Sequence, residues 1–93
     1  MKKKSVRVVI EGRVQAVWFR AWTKQEAKLR NLRGWVRNCT DGTVEALFSG
    51  AMADVDDMIE ACRRGPPAAR VVNITEHPAE APEEPGFGYG PTA

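Results

Sequence analysis

Much of the equipment that usually announces an activity is missing from this 93-residue sequence. It has one histidine and two cysteines. Cys39 and Cys62 stand alone, with only His77 as a companion of ligating type, so the spacing of a zinc centre or an iron–sulfur cluster is absent. Both thiols read as reduced, part-buried side chains rather than redox or nucleophilic groups. No window approaches the ~20 apolar residues of a membrane span, and Met1 to Ile10 holds too few apolar residues for a signal-peptide core. A cytoplasmic location without a membrane partner is therefore expected. Neither sign of charge predominates: 14 basic residues stand against 12 acidic ones, too balanced for the basic stripe of a nucleic-acid binder. Lys2, Lys3 and Lys4 form a short basic run that is expected to be part of a frayed terminus, residues 1–4. A chain of this length holds one small core, so residues 1–93 are expected to form a single domain.

What is present is a clear order of elements. "SVRVVIE", from Ser5 to Glu11, places Val6, Val8 and Ile10 on one face and predicts a strand that stops at Gly12. From Trp18 to Leu32, Phe19, Trp22, Leu29 and Leu32 fall at helical spacing, with Glu26 filling the gap, and predict an amphipathic helix facing a sheet. "GWVRNC" and "TVEALFSG" flank Asp41-Gly42, a dipeptide suited to the positive φ angles of a tight hairpin. A second helix is expected over Met52 to Arg64. Its stripe is Val55, Met58 or Ile59, and Cys62; Asp54, Asp56 and Asp57 suit its positive end, Arg63 and Arg64 its negative end, and Gly65-Pro66-Pro67 stops it. "ARVVNITEH", from Ala69 to His77, is a further strand. Residues 78–93 are rich in proline and glycine and read as a loop-like tail, with Phe87 and Tyr89 hinting at a short or irregular final strand at an edge.

This order is βαββαβ, the α+β ferredoxin-like split βαβ sandwich: an antiparallel sheet with both helices on one face. The architecture hosts many unrelated functions, so a site must decide between them. An RNA-recognition domain needs stacking aromatics in a central strand, and "TVEALFSG" lacks that pattern. A metal chaperone needs paired cysteines in the first loop, where this chain reads "GRVQAVWFR".

That loop contains no Ser, Cys, His, Asp or Glu. A turn from a strand into a helix nevertheless aims several free backbone N–H groups at one spot, where the helix dipole adds positive charge and favours a phosphate or carboxylate. Arg20, in the first helical turn, can add a bidentate guanidinium to the same anion. At this point the chain strongly resembles the acylphosphatase family. The family signature runs Gly-x-Val-Gln-Gly-Val-x-Phe-Arg, and residues 12–20 read "GRVQAVWFR". Its second block runs Gly-Trp-Val-x-Asn, then Asp-Gly, and residues 34–42 read "GWVRNCTDG". With "VEALFSG" and "RRGPPAARV" downstream, the likeness covers residues 5–76.

The resemblance implies a hydrolase that, without a metal or other cofactor, cleaves the carboxyl–phosphate bond of a small-molecule acyl phosphate; nothing in the sequence demands more than a monomer. It implies Arg20 as the phosphate-binding arginine and Asn38 as the residue orienting the attacking water. The backbone N–H groups of Val14, Gln15, Ala16, Val17, Trp18 and Phe19 would be the phosphate cradle. Trp18, Phe19, Trp22 and Trp35 are expected as core or pocket-rim aromatics, Gln15 as loop support, and His77 as no part of the site. Three departures from the family pattern stand out. Ala16 replaces a glycine in the cradle, Cys39 replaces a threonine beside the asparagine, and the tail "GFGYGPTA" departs from the usual last strand. Ala16 is the feature that favours the alternative, a non-catalytic or weakly active domain of the same fold that binds a phosphate or carboxylate ligand or a protein partner.

Overall fold

The computed structural model describes residues 2–93. In chain order the elements are β1 (Lys3–Arg13), α1 (Phe19–Leu29), β2 (Arg33–Asn38), β3 (Val44–Ala51), α2 (Met52–Arg64), β4 (Arg70–Pro78) and β5 (Phe87–Tyr89). The expected ferredoxin-like arrangement is the one found, with sheet order β4-β1-β3-β2-β5. Alternation along β1 puts Val6, Val8 and Ile10 in the core, where they meet Val36, Val44, Ala46 and Phe48 of the neighbouring strands. Val55, Met58, Ile59 and Cys62 of α2 complete one buried cluster with Phe19 and Ala27 of α1. Both helices therefore cover one face of the sheet. Burial of Cys62 pushes its thiol up to about 12, so it stays protonated and packs as a small apolar group.

Several expectations are corrected. The sheet is mixed, not wholly antiparallel, because the short edge strand β5 runs parallel to β2. Phe87 is buried and stacks on Phe48 with ring centroids 5.8 Å apart, and this contact anchors an otherwise proline- and glycine-rich tail against the core edge. Lys3 and Lys4 are not frayed. They pair with Ala51 and Gly50 on β3, and the Lys4 ammonium lies 2.7 Å from Asp56.

The first helix ends sooner than its apolar spacing suggests. Asn31 takes φ 57, and the N–H groups of Asn31 and Leu32 donate to the carbonyls of Lys28 and Ala27, the Schellman pattern that terminates a helix in a left-handed residue. Leu32 is thereby buried outside the helix, while Leu29 is exposed. The buried residues of α1 are Phe19, Thr23 and Ala27, with Trp22 packed partly against the core. The hairpin at Asp41-Gly42 forms with only Gly42 at positive φ, 93°. The Asp41 carboxylate instead accepts from the Thr43 N–H and hydroxyl, an Asx-type turn.

The sheet face away from the helices carries an ionic group rather than an apolar one. Glu45 accepts from Arg37 and from Arg7, each at 2.6 Å, and Arg37 also lies 4.7 Å over the Trp35 ring. Trp35 thus sits on the open face rather than in the core. Burial raises the Glu45 pKa, but the hydrogen bonds from Arg37 and Arg7 outweigh it and hold the carboxyl below its usual range. A depressed carboxylate contributes stability above its unfolded pKa and loses it as pH falls through the folded value. Glu45→Gln should therefore lower stability at neutral pH by about 1–3 kcal/mol, and urea melts between about pH 3 and pH 6 should show a shallower acid limb for the variant than for the parent.

Candidate active site

The site begins just beyond a bulge near the end of β1. The ladder to β4 shifts register between Glu11 and Gly12, and Gly12 adopts φ 129, where an added Cβ would lie 2.1 Å from the Arg70 carbonyl oxygen. Only glycine fits this bulge. Beyond it the backbone alternates in hand: Ala16 has φ 57 and Trp18 φ 69, with Val17 between them not left-handed. Such alternation turns successive N–H groups toward the same side and builds an anion-binding concavity.

Helix α1 starts directly after this loop. Its first internal bond runs from the Trp22 N–H to the Trp18 carbonyl at 3.0 Å, which leaves the N–H groups of Phe19, Arg20 and Ala21 without a partner inside the helix. The N-cap is Trp18, no side chain caps the helix, and the first turn contains no acidic residue. Among the described residues, neither a capping side chain nor a first-turn acid offsets the positive end of the dipole.

A cavity of about 510 Å³ opens over these groups, lined by Val14, Ala16, Trp18, Phe19, Arg20, Ala21, Asn38 and Tyr89. The structure therefore brings together Arg20 and Asn38, which lie on different elements, with four of the six residues expected in the cradle. The remaining two, Gln15 and Val17, do not line it. Val17 packs against the core. Gln15 points to the β2–β3 hairpin, where its amide nitrogen donates to the carbonyls of Cys39 and Thr43 at 2.7 and 2.8 Å. These two bonds tie the anion loop to the turn that follows Asn38. Cys39 takes part through its carbonyl, a group that threonine would supply equally, so this departure from the family pattern leaves the tie intact.

Among the described residues Arg20 forms no ion pair, unlike Arg7, Arg30, Arg37 and Arg63. Its guanidinium lies 5.9 Å from the Tyr89 ring centroid, and the Lys24 ammonium, one turn further along α1, lies 4.8 Å from the same ring. Both cations lie over the face of that ring, and among the described residues neither forms an ion pair. Tyr89 was not foreseen in the site. The Phe87-x-Tyr89 spacing does put both rings on one face of β5, but only the parallel docking of β5 on β2 carries that face to α1. His77 pairs with Arg7 on β1 and lines no part of the cavity.

A larger cavity, about 720 Å³, runs between β2 and the tail. It contains neither Arg20 nor Asn38, so chemistry rather than size locates the site.

Comparison with known proteins points to one family. The acylphosphatase family profile matches residues 6–88. An acylphosphatase of Rhodospirillum rubrum is 53% identical over 89 residues, covering 96% of this chain and 98% of its own. Among solved structures, an acylphosphatase from Bacillus subtilis superposes with a TM-score of 0.86 at 34% identity, over 92% of this chain and 97% of that one. Another, from Coxiella burnetii, gives 0.89 at 28% identity, over 95% and 93%.

The left-handed Ala16 is strained, since an L residue there costs ~1–2 kcal/mol. Ala16→Gly removes that strain at an entropic cost of ~0.5–1 kcal/mol. The variant should be more stable by about 0.5–1 kcal/mol, read as a higher midpoint in urea with an unchanged m-value.

Proposed function

The chain belongs to the acylphosphatase family and is a hydrolase of the carboxyl–phosphate bond of acyl phosphates, and from this premise we propose how its own residues carry the reaction. The phosphoryl group sits at the N-terminus of α1. The N–H groups of the left-handed loop, those of the first helical turn and the Arg20 guanidinium receive its non-bridging oxygens. Asn38, across the cavity on β2, holds the attacking water through its side-chain amide. The observation that carries this reading is the uncapped helix start beside an arginine without an ion-pair partner.

The chemistry suits so bare a site. Water attacks phosphorus, the bond to the carboxyl oxygen breaks, and its electron pair leaves with the carboxylate. The water's proton passes to a phosphate oxygen, so that a carboxylate and dihydrogen phosphate result. A carboxylate is a good leaving group, and charge develops on oxygens that the backbone dipoles and Arg20 already face. Positioning and electrostatic stabilisation then supply the rate, with no protein nucleophile or strong base. Gln15 acts as a positioning residue, holding the Asn38 hairpin against the loop that binds the phosphate.

The same reading takes the protein as a single monomeric domain that acts on a small molecule in the cytoplasm, without nucleic acid as a partner. One continuous sheet, the near balance of charge and two free thiols support it.

Hydrolysis of benzoyl phosphate should proceed in the presence of a chelator. Arg20→Ala and Asn38→Ala should each lower kcat by about 10²–10³-fold with unchanged circular dichroism and melting behaviour. Full turnover in Arg20→Ala would sink the assignment of that residue.

A further inference from the structure

The reaction uses the cavity's backbone, Arg20 and Asn38, and leaves two aromatic side chains without a task. Trp18 is 75% exposed and Tyr89 is 53% exposed, yet both line the anion cavity. The other large apolar side chains there, Val14 and Phe19, are core residues about 1% exposed and offer little surface to a ligand. Trp18 is the more unusual of the two. It holds a left-handed conformation, φ 69 and ψ 16, at the helix N-cap, which a bulky residue adopts only at an energetic cost. Neither a capping hydrogen bond nor burial of its ring offsets that cost. A large open ring at a binding cavity is available for ligand contact.

The cavity, about 510 Å³, is also far larger than a phosphoryl group and one water of ~30 Å³ require. Space remains for the group attached to the carboxyl. Beyond Arg20 and Asn38, the side chains lining this space carry no charge and no amide, and Tyr89 supplies the sole hydroxyl. A polar or charged acyl group finds little to bond there, whereas a flat apolar one meets two aromatic faces, one from the loop and one from β5.

We propose that Trp18 and Tyr89 form the acyl-group subsite, and that it selects aromatic acyl phosphates over short aliphatic ones. The inference rests on the phosphoryl group lying at Arg20, as argued above. Ring–ring contact between protein and substrate supplies the discrimination, and Tyr89, already set against Arg20 and Lys24, keeps the acyl group next to the reacting phosphate.

The test is the ratio of kcat/KM for benzoyl phosphate to that for acetyl phosphate, in the parent and in Trp18→Ala, Tyr89→Ala and Trp18→Phe. Each ratio compares two substrates on one protein, so any inactive fraction cancels. The ratio should fall about three- to tenfold in each alanine variant, and Trp18→Phe should restore most of it. Parallel loss on both substrates with an unchanged ratio would reduce the two rings to structural supports and overturn the proposal. Failure of the underlying reading looks different: Arg20→Ala would then retain turnover of acetyl phosphate, whatever the ratio in the aromatic variants.

Discussion

Everything at this site depends on one constraint: the chain passes from β1 into α1 without capping the helix. A helix start normally satisfies its first N–H groups with a serine, threonine, aspartate or asparagine side chain. Here the N-cap is a tryptophan and the first turn has no acid, so the donors and the positive dipole end remain available to an anion. Arg20 adds a full charge at the same place. An N-cap bond is worth roughly 1 kcal/mol, and its absence is a local instability that the rest of the fold must hold in place.

The sheet does so from two directions. Gly12 breaks the β1–β4 ladder in a bulge that only glycine enters, because the Arg70 carbonyl occupies the position of any Cβ. The loop's point of departure is fixed by this close approach. Its far side is fixed by Gln15, whose amide bonds the carbonyls of Cys39 and Thr43. Since Asn38 immediately precedes that hairpin, the same two bonds set the distance between the loop and Asn38. A site without a nucleophile relies on such placement, because misalignment by about 1 Å can cost as much as ~10²-fold in rate.

Strain gathers where the chemistry is. Among the described residues the non-glycine positions at positive φ are Ala16, Trp18 and Asn31, and two of these line the anion cavity. Asn31 merely closes a helix, as asparagine commonly does. Ala16 and Trp18 have no such excuse in their chemistry, and their conformations produce the alternating backbone that gathers the N–H groups. Stability is given up for a preformed cradle. Elsewhere local preference and fold agree: α2 runs from Met52 to Arg64 with acids towards its start, arginines at its end and a glycine stop, as its residues alone indicate.

The element order, the second helix and the hairpin were legible in the chain, and so was the pairing of Arg20 with Asn38 that the fold brings to one cavity, because periodicity, turn chemistry and the spacing of two short blocks are local properties. The end of α1 was less legible: its stop is an asparagine, and its buried residues include small Thr23 and Ala27, where hydropathy favoured Leu29. Only the tertiary structure decided that Lys3 and Lys4 join the sheet, that β5 runs parallel to β2, and that Tyr89 reaches the cavity. The exposure of Trp18 beside the anion-binding loop, and the tie from Gln15 to the hairpin, belong with these. Each depends on which segment lies beside another and in which direction, and such pairings between distant residues leave no period in either segment.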